Sequence, residues 1–273
     1  MRNLTMSPPL FVLAATRRGA LLLAIITATL ITACKSPSAT STKTTSTTTP
    51  PAIEFRALYT PHSIAITGSL DDPIWSQTPT YPMNAMNDDQ GHRMSLKEGG
   101  KVRFAWDNKF LYLAVDFTDS DVRTKADQDG LHAYKLGDVC ELFLKPVGQS
   151  SYWELYALPN GHQTTFLWPA PGQRPRDALQ KINRLIVAAH VNGTLNDDQD
   201  HDQGWTAQMA VPWDMLKFHD QQFGPQTGWH VLVGRYNYSA YLLDSPEYSS
   251  APAISKTSYH LTEEYAPLVL QGK

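Results

Sequence analysis

The fold of this chain is indicated first by the stretch Val102-Arg103-Phe104-Ala105-Trp106-Asp107-Asn108-Lys109-Phe110-Leu111-Tyr112-Leu113-Ala114-Val115, in which strand-like alternation is paired with a turn. Because successive side chains of a strand point to opposite faces, the apolar residues after the turn would share one face: Leu111, Leu113, Val115 and Phe117. Similar short runs recur along the chain with Gly, Pro, Asn and Asp between them, and helical periodicity never exceeds a few turns. The pattern predicts an all-β protein, a two-sheet antiparallel β-sandwich of immunoglobulin-like or jelly-roll-like type with short helical turns.

Size and charge limit the function classes. About 220 residues follow the N-terminal segments, which suits one large sandwich with one core. The chain has 23 Lys and Arg against 26 Asp and Glu, a formal net charge of -3, and no basic stripe. Nucleic acid is therefore not an expected partner.

The N-terminus has the features of a secreted lipoprotein. Arg17-Arg18 precede the apolar run 19–30, which is too short for a transmembrane helix and suits a signal peptide. Ile31-Thr32-Ala33-Cys34 resembles a bacterial lipobox, so residues 1–33 are predicted to be cleaved and Cys34 to be acylated. The alternative is an ordinary signal peptide with a chance cysteine. Lys35 resembles the residue found there in lipoproteins sent to the outer membrane of a Gram-negative cell.

A tether and one globular domain are predicted to follow. Residues 34–52 are rich in Ser, Thr and Pro and lack large apolar side chains, so they would hold the domain 53–273 away from the membrane. Beyond Cys34 the chain has one further cysteine, Cys140, in a strand-like run. We expect it to be a small buried apolar residue and not a reactive thiol.

An ordered set of segments resembles the family 9 carbohydrate-binding modules and the wider family 9-like domains, over roughly residues 53 to 273. The segments are Ile66–Trp75, Val102–Val115, Gly137–Leu144, Trp205–Pro212 and Tyr259-His260. The resemblance implies non-catalytic binding of an oligo- or polysaccharide at the cell envelope. It also implies glycoside hydrolases as partners and polysaccharide degradation or uptake as the setting.

Aromatic and polar site residues follow from the same resemblance. Sugar rings need flat apolar surfaces together with hydrogen-bonding groups at their edges. In the family two tryptophans sandwich the sugar, and their positions fall here around Tyr134-Lys135 and at Tyr259, so tyrosines would have to stack. His260, next to the second position, is a further candidate. Trp168 is a further candidate because it lies in a Pro/Gly-rich loop, whereas Trp75 and Trp106 match family positions that belong to the core.

The polar candidates are Asp138, Glu141, Glu154 and Arg235. Glu141 matches a carboxylate that accepts sugar hydroxyls in the family, and alternation places it opposite the apolar face of Cys140, Leu142 and Leu144. If the strands are neighbours, these polar residues would line one concave surface. The alternatives are a solvated Glu141, a turn role for Asp138, and a salt bridge of Arg235 with one of the glutamates.

The resemblance also implies structural calcium, which prefers carboxylate and carbonyl oxygens. Asp119 and Asp121 are the candidate ligands, and a second acidic run spans residues 196–202. Neither has the spacing of an established calcium loop, and a solvated surface loop is the favoured interpretation of the second run.

Nothing in the sequence is positive evidence for an enzyme. Glu141 and Glu154 are not identifiable as a glycosidase pair, and the histidines show no metal-ligand spacing. A nucleophile elbow and a phosphate loop are both missing. Two alternative functions stay open: an envelope protein that docks a partner and has lost sugar binding, and a haem or electron-transfer sandwich using Met209 or His260.

Overall fold

The strands of the protein follow the short apolar runs of the sequence. The computed structural model describes residues 53–88, 90–175, 184–243 and 245–273. Within these ranges lie fifteen strands: β1 (Phe55–Tyr59), β2 (Tyr81–Pro82), β3 (Asn84–Ala85), β4 (Gly100–Trp106), β5 (Phe110–Thr118), β6 (Val139–Pro146), β7 (Tyr152–Ala157), β8 (Gln163–Trp168), β9 (Ile186–Asn192), β10 (Gly204–Pro212), β11 (Lys217–Phe218), β12 (Gln221–Gln222), β13 (Trp229–Asn237), β14 (Glu247–Ala251) and β15 (Ala266–Gln271).

Helical structure in the described ranges is short. It consists of α1 (Ile74–Gln77) and the 3-10 turns Ala133–Lys135, Trp213–Met215 and Thr262–Glu264. None of it is long and apolar enough to cross a membrane. The predicted signal peptide, the acylated Cys34 and the tether 34–52 lie outside the described residues.

Most strands join one thirteen-stranded sheet with the hydrogen-bonded order β8-β7-β6-β13-β15-β1-β4-β5-β10-β9. β1 pairs in parallel with both β15 and β4, and antiparallel pairs make up the rest of the path. A separate small sheet contains β11 and β12. The all-β prediction is confirmed. The strands form a continuous mixed sheet because β1 joins its two halves, and the immunoglobulin-like or jelly-roll-like sandwich stays a prediction.

The sheet curls until its distant strands face each other, since β7 contacts both β9 and β10. The largest apolar cluster lies between the halves. It contains the predicted faces of β5 and β6: Leu111, Leu113, Val115 and Phe117, with Cys140, Leu142 and Leu144. Cys140 is fully buried, which raises the pKa of its thiol and fits the predicted apolar role. Burial of each such leucine stabilises the fold by about 1.5–3 kcal/mol.

A second apolar cluster covers the other side of β5. Tyr112 and Ala114 pack there against Trp75 of α1, which makes the core role expected of Trp75 a feature of the structure. Trp106 is also buried, and its indole N–H donates to the carbonyl of Gln271 over 3.1 Å. The loop at Gly68 passes close to β9. A Cβ at Gly68 would lie 2.5 Å from the backbone of Ala189, and φ of Gly68 is +87°.

A buried ion pair ties β13 to the end of β5. The Arg235 guanidinium lies 2.9 Å from Asp119, and neither side chain is exposed. Arg235 also donates to the carbonyl oxygens of Glu98 and Gly99 and lies 4.6 Å from the ring centroid of Phe117. The Asp119 carboxylate, the two carbonyl oxygens and the ring face compensate the guanidinium in part for its lost hydration, and its Nε is left without a partner.

We expect Arg235→Met to lower the free energy of unfolding by about 3–5 kcal/mol, because it leaves the Asp119 carboxylate buried without its partner. The matched control is Arg56→Met, which breaks an exposed ion pair with Glu54 and should cost less than about 0.5 kcal/mol. Urea denaturation of both variants measures the difference. Equal costs would contradict the importance given to the buried pair.

Candidate functional site

Two glutamates lie side by side on the outer face of the half-sheet formed by β6, β7, β8 and β13. Glu141 pairs in register with Tyr156, and Glu154 pairs with Phe143. Paired residues share a face of a sheet, so the predicted neighbourhood of the two glutamates is present in the structure.

Half-exposed aromatic rings lie over the same face. We call Tyr134, Trp168, Tyr236 and Tyr248 the aromatic platform. The ring centroid of Tyr236 lies 5.5 Å from that of Tyr134 and 5.1 Å from that of Tyr248. Tyr236 and Trp168 each pack against both apolar clusters of this face. Rings with one apolar face and polar edges in partial contact with solvent are suited to stacking on a ligand.

Trp168 is held in a defined orientation. Its indole N–H donates to Oε2 of Glu154, its ring stacks on Tyr152 with a centroid distance of 5.9 Å, and it lies 4.5 Å from the ring of His260. The hydroxyl of Tyr152 is in turn 2.9 Å from Nδ1 of His260. Such fixation lowers the ordering cost of binding a ligand.

The two carboxyls beneath the platform differ in their hydrogen bonds. Both oxygens of Glu154 are occupied, one by the Tyr156 hydroxyl and the other by Trp168. Oε1 of Glu141 is buried and has no hydrogen-bond partner. Glu141 is therefore the carboxyl with an unused acceptor, although only 2% of its surface is exposed.

Burial also decides the protonation of this pair. Loss of hydration raises the pKa of Glu154 to about 7, against the opposing effect of its two hydrogen bonds. Burial and the neighbouring charge of Glu154 hold the pKa of Glu141 well above its usual range. Burial lowers the pKa of His260, so that ring is neutral near pH 7.

Asp138 lies outside the aromatic platform and serves the backbone. Its carboxylate accepts the N–H groups of Arg123 and Tyr238, each over 2.6 Å, and its side chain is fully buried. It thereby joins the loop after β5 to the end of β13. Each carboxylate oxygen of Asp138 already accepts a backbone N–H. These contacts match the alternative in which Asp138 bonds backbone N–H groups, and not the predicted binding role.

Tyr259 is buried, and both of its ring faces are enclosed. One face lies against Gly234, where a Cβ would be 2.8 Å from the ring, and 5% of the residue is exposed. Its hydroxyl lies 2.6 Å and 2.9 Å from the carbonyl oxygens of Arg235 and Ser249. The structure thus corrects the expectation that Tyr259 offers a stacking surface, whereas His260 reaches the edge of the platform through Trp168.

Arg235 requires a second correction. It pairs with Cys140 and therefore points into the core, on the face opposite Glu141. Its guanidinium is bonded to Asp119 and not to either glutamate. The predicted shared surface of Arg235 with Glu141 and Glu154 is absent from the structure.

The predicted calcium ligands have other partners. Asp119 accepts from Arg235 and from the N–H of Asp121, and Asp121 accepts from Ala240 N–H and pairs with Arg123. Of the four carboxylate oxygens, Oδ1 of Asp121 is left without a partner. One free oxygen is far fewer than the six to eight oxygen ligands that calcium takes. Among the residues described, no cluster of three acidic, His or Cys side chains could hold a metal. Asp119 and Asp121 do not fit a calcium ion.

Sequence reasoning missed Tyr236 and Tyr248. In Gly234-Arg235-Tyr236-Asn237 the charged Arg235 is the candidate that the sequence suggests, whereas the aromatic residue next to it, Tyr236, has the surface position. The available signal was a tyrosine in each of two consecutive strand-like segments, Tyr236 and Tyr248. In the structure the two residues pair in register.

A cavity on the other half of the sheet is less suited to recognition. It has a volume of about 550 Å³ and lies between Phe110, Ile186 and Trp213, with the ion pair of Arg184 and Asp214 at its margin. Its lining also includes Lys109, and no stacked rings converge on it among the described residues.

We expect the protein to be more stable at pH 5 than at pH 8. Burial raises the pKa of Asp119 to about 6 and that of Glu154 to about 7. At pH values above the ordinary carboxyl pKa and below these raised values, the folded protein therefore binds more protons than the unfolded chain. The stability is present in mild acid and is lost as the pH rises through the folded pKa values. One pKa unit corresponds to about 1.4 kcal/mol. The free energy of unfolding, measured by urea denaturation, should therefore be at least that much higher at pH 5 than at pH 8.

Burial also raises the pKa of Glu141, so Glu141→Gln removes one of the groups responsible and should reduce this pH dependence. A variant with the full pH dependence of the parent would contradict the assignment of Glu141 to this buried acid pair.

We expect Tyr259→Phe to cost about 1–3 kcal/mol of folding free energy, because it leaves buried backbone carbonyls without their hydroxyl partner. The control is Tyr248→Phe, which removes a hydroxyl from a half-exposed ring of the platform and should cost less. Thermal denaturation of both variants compares them, and an equal effect would argue against a structural role for the Tyr259 hydroxyl.

Comparison with known proteins adds a family and a fold. The family model described as "Carbohydrate family 9 binding domain-like" matches residues 66–233. No curated protein sequence matches the chain.

Solved structures share the fold at low identity. A Bacteroides uniformis protein to which carbohydrate binding is attributed has 15% identity and a TM-score of 0.64, with 81% of this chain and 100% of that chain covered. A family 9 carbohydrate-binding module of Caldicellulosiruptor kristjanssonii in complex with cellotriose has 15% identity and a TM-score of 0.52, covering 81% and 95%. The same organism's module in complex with glucose has 13% identity and a TM-score of 0.52, covering 81% and 97%.

Proposed function

The chain belongs to the carbohydrate family 9 binding domain-like family, a family of non-catalytic carbohydrate-binding modules, and from this premise we propose that it binds an oligo- or polysaccharide on the aromatic platform. Relatives of this fold have been solved with cellotriose and with glucose, so β-linked glucose oligomers are the first ligands to test.

One observation carries the proposal. Half-exposed rings at Tyr134, Tyr236 and Trp168 lie over the buried carboxyls of Glu141 and Glu154. Ring faces can stack on the C–H face of a sugar, and groups below and between them can bond its hydroxyls. Tyr134 would take the place of one family tryptophan, and Tyr236 and Trp168 would supply the stacking faces that the buried Tyr259 does not offer.

Binding and not hydrolysis is the activity that fits this geometry. Glu154 uses both of its oxygens within the protein, and Glu141 is 2% exposed. A glycosidase needs two carboxyls that reach opposite sides of a glycosidic bond. Affinity should be modest, since exposed sugar sites exchange hydrogen bonds with water for similar ones with protein.

We further propose that the chain is a lipoprotein of the bacterial cell envelope, at the outer membrane of a Gram-negative cell. The support is the lipobox-like Ile31-Thr32-Ala33-Cys34 and the Ser/Thr/Pro-rich tether after it. Acyl chains would hold the domain at the membrane, where it would keep glycans near partner glycoside hydrolases or transporters. Labelling with a radioactive fatty acid tests the anchor, which Cys34→Ala should abolish.

Two other functions have distinct tests. An aromatic surface of this kind also suits a protein partner, which would show as partner capture without sugar binding. A haem role using both Met209 and His260 is hard to build, because Met209 lies in the core cluster whereas His260 lies beside Trp168 on the outer face. An absorption spectrum of the purified protein tests haem directly.

We expect calorimetric titration of the purified protein with cellotriose, glucose and short xylo-oligosaccharides to show saturable binding to one or more of them. Tyr236→Ala and Trp168→Ala should each weaken that binding about tenfold, because each removes a stacking face.

Tyr59→Ala is the matched control, since Tyr59 is a half-exposed tyrosine of β1 that contacts Trp106 and lies outside the platform. Circular dichroism checks that each variant is folded. Loss of affinity in the control equal to that in Tyr236→Ala would contradict the location of the site.

A further inference from the structure

A continuous row of accessible aromatic rings crosses the half-sheet that carries the aromatic platform. Between ring centroids, Tyr248 lies 5.1 Å from Tyr236 and Tyr236 lies 5.5 Å from Tyr134. The next ring is His132, whose centroid is 6.2 Å from that of Tyr134. His132 is exposed, and the three tyrosines are half-buried. We call these four residues the ring row.

The ring row reaches from one side of the half-sheet to the other. At one end, His132 stacks on Phe166 of β8 with a centroid distance of 4.6 Å. At the other end, Tyr248 belongs to β14, which pairs with β13 on the side away from β6. In the order β8-β7-β6-β13-β14 the row crosses about 19 Å, since neighbouring strands lie about 4.8 Å apart. The row is therefore longer than a single sugar ring.

The rings of the row are separate contact points and not one flat surface. Neighbouring ring planes differ by 78°, 41° and 86° along the row. Different rings can therefore contact different units of a chain, by face or by edge. Lys135 lies beside the row with its Nζ 5.3 Å from the ring centroid of Tyr134, and its exposed ammonium can donate to sugar hydroxyls there.

No second ring closes over the row at the position where the family has its second tryptophan. That position is Tyr259, which is 5% exposed and has Gly234 against one ring face. Its hydroxyl is held by the carbonyl oxygens of Arg235 and Ser249. Tyr259 therefore does not enclose a sugar that lies on Tyr134. A one-sided surface of this kind leaves both ends of a bound chain free to continue.

We propose that the ring row binds an internal stretch of a glycan chain, contacting several consecutive sugar units and requiring no free chain end. This inference rests on the proposed carbohydrate binding and specifies which part of the glycan is recognised. Affinity should grow with chain length until the row is filled, because each further ring that is contacted adds to the stabilisation.

The test is calorimetric titration of the purified protein with oligomers of one to six units in the β-1,4-linked glucose and xylose series. In a series that binds, we expect the Kd of the hexamer to be at least about tenfold lower than that of the dimer. Borohydride reduction opens the terminal ring of the hexamer and leaves its internal units intact. The reduced hexamer should bind within about twofold of the unreduced one.

His132→Ala and Tyr248→Ala each remove one end of the row. Each should weaken hexamer binding by about three- to tenfold and affect the dimer less, because a dimer can bind to the remaining rings. The matched control is His62→Ala, which removes an exposed histidine near Asp72, between β1 and α1, and should leave both affinities unchanged. Circular dichroism checks the fold of each variant. If Tyr248→Ala does not fold, the exposed His132 decides.

The outcomes separate the two proposals. A dimer that binds as tightly as the hexamer, or a hexamer that no longer binds after reduction, would overturn the internal site and leave carbohydrate binding in place. Unchanged hexamer affinity in His132→Ala would also overturn it, because the row would then not be the contact surface. Absence of binding to every oligomer of both series would overturn the proposed function itself.

Discussion

The buried ion pair between Arg235 and Asp119 is the constraint on which the candidate site depends. Because Arg235 points into the core, its neighbours Gly234 and Tyr236 must point outward. Gly234 then admits the ring of Tyr259 against the backbone, and Tyr236 becomes the centre of the aromatic platform. β13 thus carries the paired Arg235 on its inner face and Tyr236 on its outer face. The burial of Arg235 fixes which face of the strand is inside and therefore where Tyr236 lies.

Buried carboxyl groups have different partners near the ends of the strands and under the platform. Around β5 and β13, buried carboxylates accept from arginines and backbone N–H groups, as Asp119 and Asp138 do, and they hold loops in place. Under the platform, Glu154 accepts from the neutral donors Tyr156 and Trp168, and Glu141 lies beside the Glu154 carboxyl, which raises its pKa. The low local dielectric raises the cost of charge in both places, and each place holds one buried carboxyl oxygen without a hydrogen-bond partner, Oδ1 of Asp121 near the end of β5 and Oε1 of Glu141 under the platform.

Period-two alternation was sufficient to predict the inner faces of β5 and β6 and the shared face of Glu141 and Glu154, because each strand has one continuous apolar face. Alternation fails for β13, because Val231, Leu232 and Val233 are apolar on both faces of the strand. The strand therefore gives no indication of whether Arg235 lies on the inner or the outer face. The burial of Tyr259 was also hidden, since it depends on the missing side chain of Gly234 and on carbonyls of two other segments. Parallel pairing of β1 has no local signature, because its partners lie far away in the sequence.

The position of β1 has a consequence for how the domain forms. β1 is the first strand of the sheet and pairs with β15, its last, with Phe55 opposite Leu268. The pairing of β1 with β15 therefore cannot form until the last strand has been synthesised, and contacts between such distant residues form slowly. The β4–β5 hairpin and the three-stranded unit of β6, β7 and β8 use only neighbouring strands, so these local units can form before the pairing that closes the sheet.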